Sequence, residues 1–153
     1  NKIHYGCPIA EEELGRRYRL NLTNRPFWLN NEFVFLGEIP ENKSADIDDT
    51  ALVHKTNEGI FIITGCSHSG IINIINYAKQ VCKEGRILGV LGGFHFLKKS
   101  EEELEEICSL MLKSGVNPEY PFYPCHCCDL KSKIIMSKFF NVQEVCTGDV
   151  LNC

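Results

Sequence analysis

From residue 51 onward the chain alternates short apolar runs with stretches at helical spacing, and no other feature constrains its fold as strongly. Ala51–Lys55 and Ile60–Thr64 read as strands, separated by Thr56-Asn57-Glu58-Gly59, a composition that suits a hairpin turn. Ile60–Thr64 is apolar on both faces, as a central strand covered by helices should be. Residues 69–81 follow at helical spacing, with Ile71, Ile74, Ile75 and Ala78 on one face. Arg86–Leu91 is a further apolar strand, ending at Gly92-Gly93. Ser100 then opens a helix as a capping box with Glu103, and Gly115 is its C-terminal stop. Tyr120–Pro124 reads as a short strand, Asp129–Phe140 as a helix and Val142–Cys146 as a final strand. Strand and helix in alternation define an α/β fold, and the opening hairpin makes its sheet mixed.

Upstream the pattern is weaker. Residues 1–32 form an irregular lead-in without clean periodicity, in which Glu11 to Arg19 is either a short helix or a surface segment. Phe33 to Ile39 is β-rich and ends at Pro40, and a polar loop spans Glu41 to Asp49. A length of 153 residues fits one domain, divided here into the lead-in, 1–32, and a folded unit, 33–153.

A net charge of -4 and sparse basic pairs such as Lys98-Lys99 argue against a nucleic-acid partner, which needs clustered Lys and Arg. The longest apolar runs fall far short of the roughly 20 residues of a membrane span, so no membrane partner is expected. No secretory leader is recognised, and the chain opens at Asn1 rather than Met, which reads as a processed product or a piece of a longer protein. Nine cysteines cannot all pair internally, and without a secretory signal they fit free thiols in a reducing, cytoplasmic setting. Cys82 and Cys108 lie within apolar helical patterns and read as small buried hydrophobes.

Three histidines sit just past strand-like runs, each boxed in by glycine, proline or cysteine: His68 in Gly65–Gly70, His95 after Gly92-Gly93, and His126 in Pro124–Cys128. Strand ends in an α/β fold open onto a shared cleft, so these are candidate ligands of one metal site. His68 stands at the mouth of a helix, with Ser67 or Ser69 available to cap it. The helix N-terminus favours the neutral imidazole that binds metal, although a histidine that merely hydrogen-bonds in the turn is the plainer alternative. His126 is flanked by Cys125, Cys127 and Cys128, with Cys66 the nearest outlying thiol, so either the imidazole or the thiols could bind metal. For His95, ligation competes with simple packing between Phe94 and Phe96. His54, in mid-strand, and His4 read as structural or solvated. No thiol is singled out as a nucleophile, and no catalytic residue is assigned.

In combination, several segments resemble the metallo-β-lactamase superfamily, and within it the branch of dihydropterin-linked ribofuranosyl-aminobenzene-phosphate synthase-like metallohydrolases. They are Leu36-Gly37-Glu38-Ile39-Pro40, Asp48 to Val53, Gly59 to Ile71, Gly92-Gly93-Phe94-His95 and Pro124-Cys125-His126-Cys127. The resemblance spans about residues 27 to 150. It implies an αββα sandwich with a site for one or two divalent metal ions, such as zinc, at the sheet edge. His68 would be the ligand after the central strand and His126 the last histidine ligand. His95 stands where many relatives place an acidic bridging residue.

The family's His-x-His-x-Asp-His motif is not in the sequence. The resemblance is therefore to the C-terminal half of that fold, with 33–153 as the matching part. It implies that the isolated chain is a hydrolase fragment with little activity, acting on a small-molecule substrate only in an intact protein. It also implies a face left open for the N-terminal half or for self-association. The competing expectation is a non-catalytic metal- or thiol-binding module built on Cys125, Cys127 and Cys128.

Overall fold

The computed structural model describes residues 23–40 and 49–151. Seven strands form one sheet in chain order: β1 (Phe27–Trp28), β2 (Phe33–Phe35), β3 (Ala51–Lys55), β4 (Ile60–Thr64), β5 (Ile87–Gly92), β6 (Pro121–Pro124) and β7 (Asn141–Val142). The pairs from β1 to β4 are antiparallel and those from β4 to β7 parallel, so the sheet is mixed as expected. Helices α1 (Ile71–Cys82), α2 (Glu101–Lys113) and α3 (Leu130–Ser137) connect the successive parallel strands. Because each new strand is added on the same side, right-handed crossovers bring all three helices to one face.

The pleat sorts side chains cleanly between the two faces. Val34, Val53, Ile62, Val90 and Phe122 lie side by side across β2 to β6 and are fully buried. Ile71, Ile74, Ile75, Ala78 and Cys82 of α1 join the same core, with Leu104, Cys108 and Met111 of α2. One register step away, Phe35, Leu52, Ile63, Leu91 and Tyr123 form the equivalent row on the face away from the helices, and all five stay half-buried.

The hairpin falls where its turn residues place it, and Thr56 N–H bonds Gly59 O at 2.8 Å. The capping box is also present: Ser100 Oγ accepts Glu103 N–H at 3.2 Å, and Glu103 Oε2 accepts Ser100 N–H at 2.7 Å. Lys55 Nζ donates to Cys82 O at 2.7 Å and so satisfies a carbonyl at the C-terminus of α1.

Several boundaries differ from expectation. β2 stops at Phe35 rather than Ile39 because Gly37 adopts φ +70, where a Cβ would lie 2.6 Å from the Arg25 carbonyl carbon. β7 ends at Val142 rather than Cys146: its pairing with β6 stops at Phe122 opposite Val142, and the last bond between them runs from Gln143 N–H to Phe122 O at 2.8 Å. α3 ends at Ser137, and residues to Phe140 close as tight turns onto Met136 O. β1, with two residues, is too short to announce itself by periodicity. Neither serine caps α1: Gly70 occupies the cap without a side-chain bond, because Ser67 is spent elsewhere. The segment 11–19, His4, Cys7 and Cys153 lie outside the described residues. His54 stacks on Phe33 with ring centroids 4.5 Å apart, in keeping with a structural role. Among the described residues no helix is long and apolar enough to cross a membrane.

Candidate metal centre

β4, β5 and β6 run parallel and end at Thr64, Gly92 and Pro124, so the three turns that follow emerge at one sheet edge. Backbone and side-chain bonds tie those turns together. Gly93 N–H donates to Gly65 O and Cys125 N–H to Gly92 O, both at 2.7 Å. Ser67 Oγ, 1% exposed, donates to Gly93 O at 2.6 Å. Phe96 and Leu97 N–H both donate to Cys127 O at 3.0 Å. Ser67 and His95 are held in the left-handed region, at φ 60 and φ 54, a strain of the kind that concentrates at functional sites.

This scaffold gathers two overlapping groups of metal-ligating atoms. Cys66, His68 and His95 form one, and Cys66, His126 and Cys127 the other; within each group the ligating atoms lie within 4.8 Å of one another. His68 and His95 meet edge to face with ring centroids 5.0 Å apart, and Cys66 Sγ is 3.6 Å from His95 Nδ1. Cys127 Sγ accepts His95 N–H at 3.0 Å and reaches Cys66 O at 3.5 Å. Gly93 makes room for the second group: a Cβ there would sit 2.6 Å from Cys127 Sγ and 2.7 Å from His126 Cε1.

All three histidines expected from the sequence therefore reach one edge of the sheet, divided between two groups that share a thiol. From the sequence that thiol, Cys66, is only an outlying candidate beside the Cys125–Cys128 cluster, although it stands two residues before His68 in the same turn. Nor does the sequence assign a role to Asp49. This carboxylate is buried, lies 3.5 Å from His68 Nδ1 and accepts the N–H of Ser69 at 2.5 Å. The pairing of the hairpin brings it there, since Ala51 opposite Thr64 carries Asp49 to the level of the turn after β4. Of the cysteine trio, Cys127 reaches the site. Cys125 Sγ instead bonds Tyr123 O at 3.3 Å, and Cys128 packs in the core.

Burial, together with the neighbouring Cys127 thiol, pushes the Cys66 thiol up to about 11. Such a thiol is a poor nucleophile by itself. The donor chemistry fits a divalent cation: imidazoles and thiols converge from three strand ends, and Asp49 faces His68 as a carboxylate that can orient a ligand imidazole. A groove of about 580 Å³ opens beside His68 and His95, lined also by Asn73, Asn76, Lys99 and Leu110. Its size is in the range of small-molecule sites.

No family model matches the chain. A solved crystal structure described as a metal-dependent hydrolase of the β-lactamase superfamily superposes with a TM-score of 0.74 at 28% identity, covering 86% of this chain and 57% of that one. An uncharacterized protein of Methanocaldococcus jannaschii is 26% identical over 144 residues, 86% of this chain and 54% of its own length. The 7,8-dihydropterin-6-methyl-4-(β-D-ribofuranosyl)-aminobenzene-5′-phosphate synthase of the same organism is 29% identical over 69 residues, 45% of this chain and 24% of its own. The chain thus spans about half, or less, of the length of these relatives. Its mixed sheet with flanking helices is the fold of the β-lactamase-superfamily neighbour.

Proposed function

We propose that this chain, which has the fold of a metal-dependent hydrolase of the β-lactamase superfamily, supplies part of a divalent-metal hydrolase centre in which His68, His95 and His126 are ligands. The observation that carries the reading is the convergence of the three turns after β4, β5 and β6, with their imidazoles, on one sheet edge. Zinc is the expected ion, because it accepts imidazole readily and keeps an open position in catalytic sites. When bound, such an ion polarises a carbonyl or phosphoryl oxygen and activates water. The protein's own part is to hold the imidazoles. Asp49 orients His68, Gly93 seats His126, and the groove beside His68 and His95 receives a small-molecule substrate.

The ligands of the His-x-His-x-Asp-His motif are not in these 153 residues, so we expect the isolated chain to bind metal weakly and to turn over little substrate. The half-buried row Phe35, Leu52, Ile63, Leu91 and Tyr123 is the face against which the polypeptide carrying those ligands, or a second copy of the chain, would pack. Elemental analysis after chelator-free purification tests the metal reading. His68→Ala and His126→Ala should each lower bound metal, and metal that survives both but vanishes with Cys125, Cys127 and Cys128 replaced would favour a thiol-binding module instead. Brisk metal-dependent hydrolysis of an ester or phosphodiester by this chain alone would overturn the expectation of low activity.

A further inference from the structure

We propose that Cys66 and Cys127 are themselves metal ligands, forming with His126 a thiolate–imidazole site selective for soft divalent ions. The inference rests on reading this sheet edge as a metal centre, and it adds donors of a different chemistry. Three features carry it. The two Sγ atoms and the His126 ring nitrogen lie within 4.8 Å of one another, although they come from turns after different strands. The backbone at His95, held at φ 54, points its N–H at Cys127 Sγ at 3.0 Å, the kind of hydrogen bond that stabilises a metal-bound thiolate sulfur. Gly93 leaves the space in which Cys127 Sγ and the His126 ring stand together; any side chain there would collide with both.

The three donors are unequally covered. Cys127 is 8% exposed, Cys66 is half-buried and His126 is open to solvent. Three protein ligands with one accessible side match a site that keeps a position free for water or substrate, rather than a closed structural site. Thiolate donors favour zinc, cobalt and cadmium over magnesium. On binding, each thiol releases its proton to solvent as the sulfur–metal bond forms.

Cobalt(II) titration of the reduced 153-residue chain tests the assignment. Sulfur-to-cobalt charge-transfer absorption in the near ultraviolet should appear, persist in excess magnesium, fall in Cys66→Ser and in Cys127→Ser, and remain in Cys125→Ser. Visible cobalt bands without near-ultraviolet charge transfer would overturn thiolate ligation while leaving a histidine metal centre standing. Charge transfer that survives the Cys66→Ser/Cys127→Ser double variant would also overturn it, and the absence of any cobalt spectrum would overturn both readings. Because Cys127 is buried and its variant could misfold, alkylation of the unaltered chain provides a second measurement. Zinc should slow iodoacetamide labelling of Cys66 at least severalfold while exposed Cys146 stays reactive, and equal labelling of Cys66 with and without zinc would refute the assignment.

Discussion

The carboxylate of Asp49 lies 3.5 Å from Nδ1 of His68 and at the same time accepts the backbone N–H of Ser69. One buried side chain therefore ties down the turn that carries a candidate ligand and places a carboxylate beside that ligand's imidazole. Partners of this kind commonly account for about 10- to 100-fold in metal affinity. Asp49→Asn keeps an acceptor for Ser69 N–H but loses the negative charge beside the imidazole. It should weaken metal binding by about that factor while leaving the fold intact, as read by metal titration alongside circular dichroism. Unchanged affinity would remove Asp49 from the site.

Gly93 tests the floor of the centre. A methyl group there meets Cys127 Sγ at 2.6 Å and His126 Nε2 at 2.8 Å; the exposed imidazole can swing outward, but the buried Cys127 side chain has little room to give. Gly93→Ala should cost about 1–3 kcal/mol of stability by overpacking and should reduce metal binding as well. Urea unfolding and metal titration on the same variant read the two effects.

Neither Ser100 nor Glu103 belongs to the two donor groups, so the capping box of α2 separates stability from binding. Ser100→Ala removes the acceptor for Glu103 N–H and should lower stability by about 1 kcal/mol. Metal affinity should not change. A change in affinity would mean that α2 shapes the site beyond its contribution to the groove.

Acid sensitivity should have an identifiable component at the start of β5. Arg86 hydrogen-bonds Glu84 and also donates to Asn57 O at 3.0 Å, and the guanidinium holds the Glu84 carboxyl down at about 2. A carboxyl lowered on folding stabilises the native state above its ordinary pKa near 4.5, and that contribution disappears as pH falls toward 2. Glu84→Gln should therefore be less stable than the parent at neutral pH, with the gap closing between about pH 4.5 and pH 2. Arg86 faces solvent and Glu84 is half-buried, so added salt should shrink the gap in part. Urea midpoints across that pH range check the sign.

Local pattern determined much of this protein. The hairpin from Ala51 to Thr64, the apolar stripe of α1 and the Ser100–Glu103 box each depend on residues a few positions apart, and each stands where its periodicity or turn chemistry puts it. The placement of His68, His95 and His126 just past strands was legible for the same reason. The short extents of β2 and β7 were not, because where pairing stops depends on backbone angles and on neighbours distant in sequence. The site's finer composition belongs to the tertiary structure alone. Cys66 and Cys127 are 61 residues apart, and Asp49 reaches the turn after β4 only through hairpin pairing. Their meeting follows from the register between strands, a long-range property that no local period encodes. That register brought three separate histidine turns to one sheet edge as two overlapping donor groups and added the thiols and the carboxylate beside them.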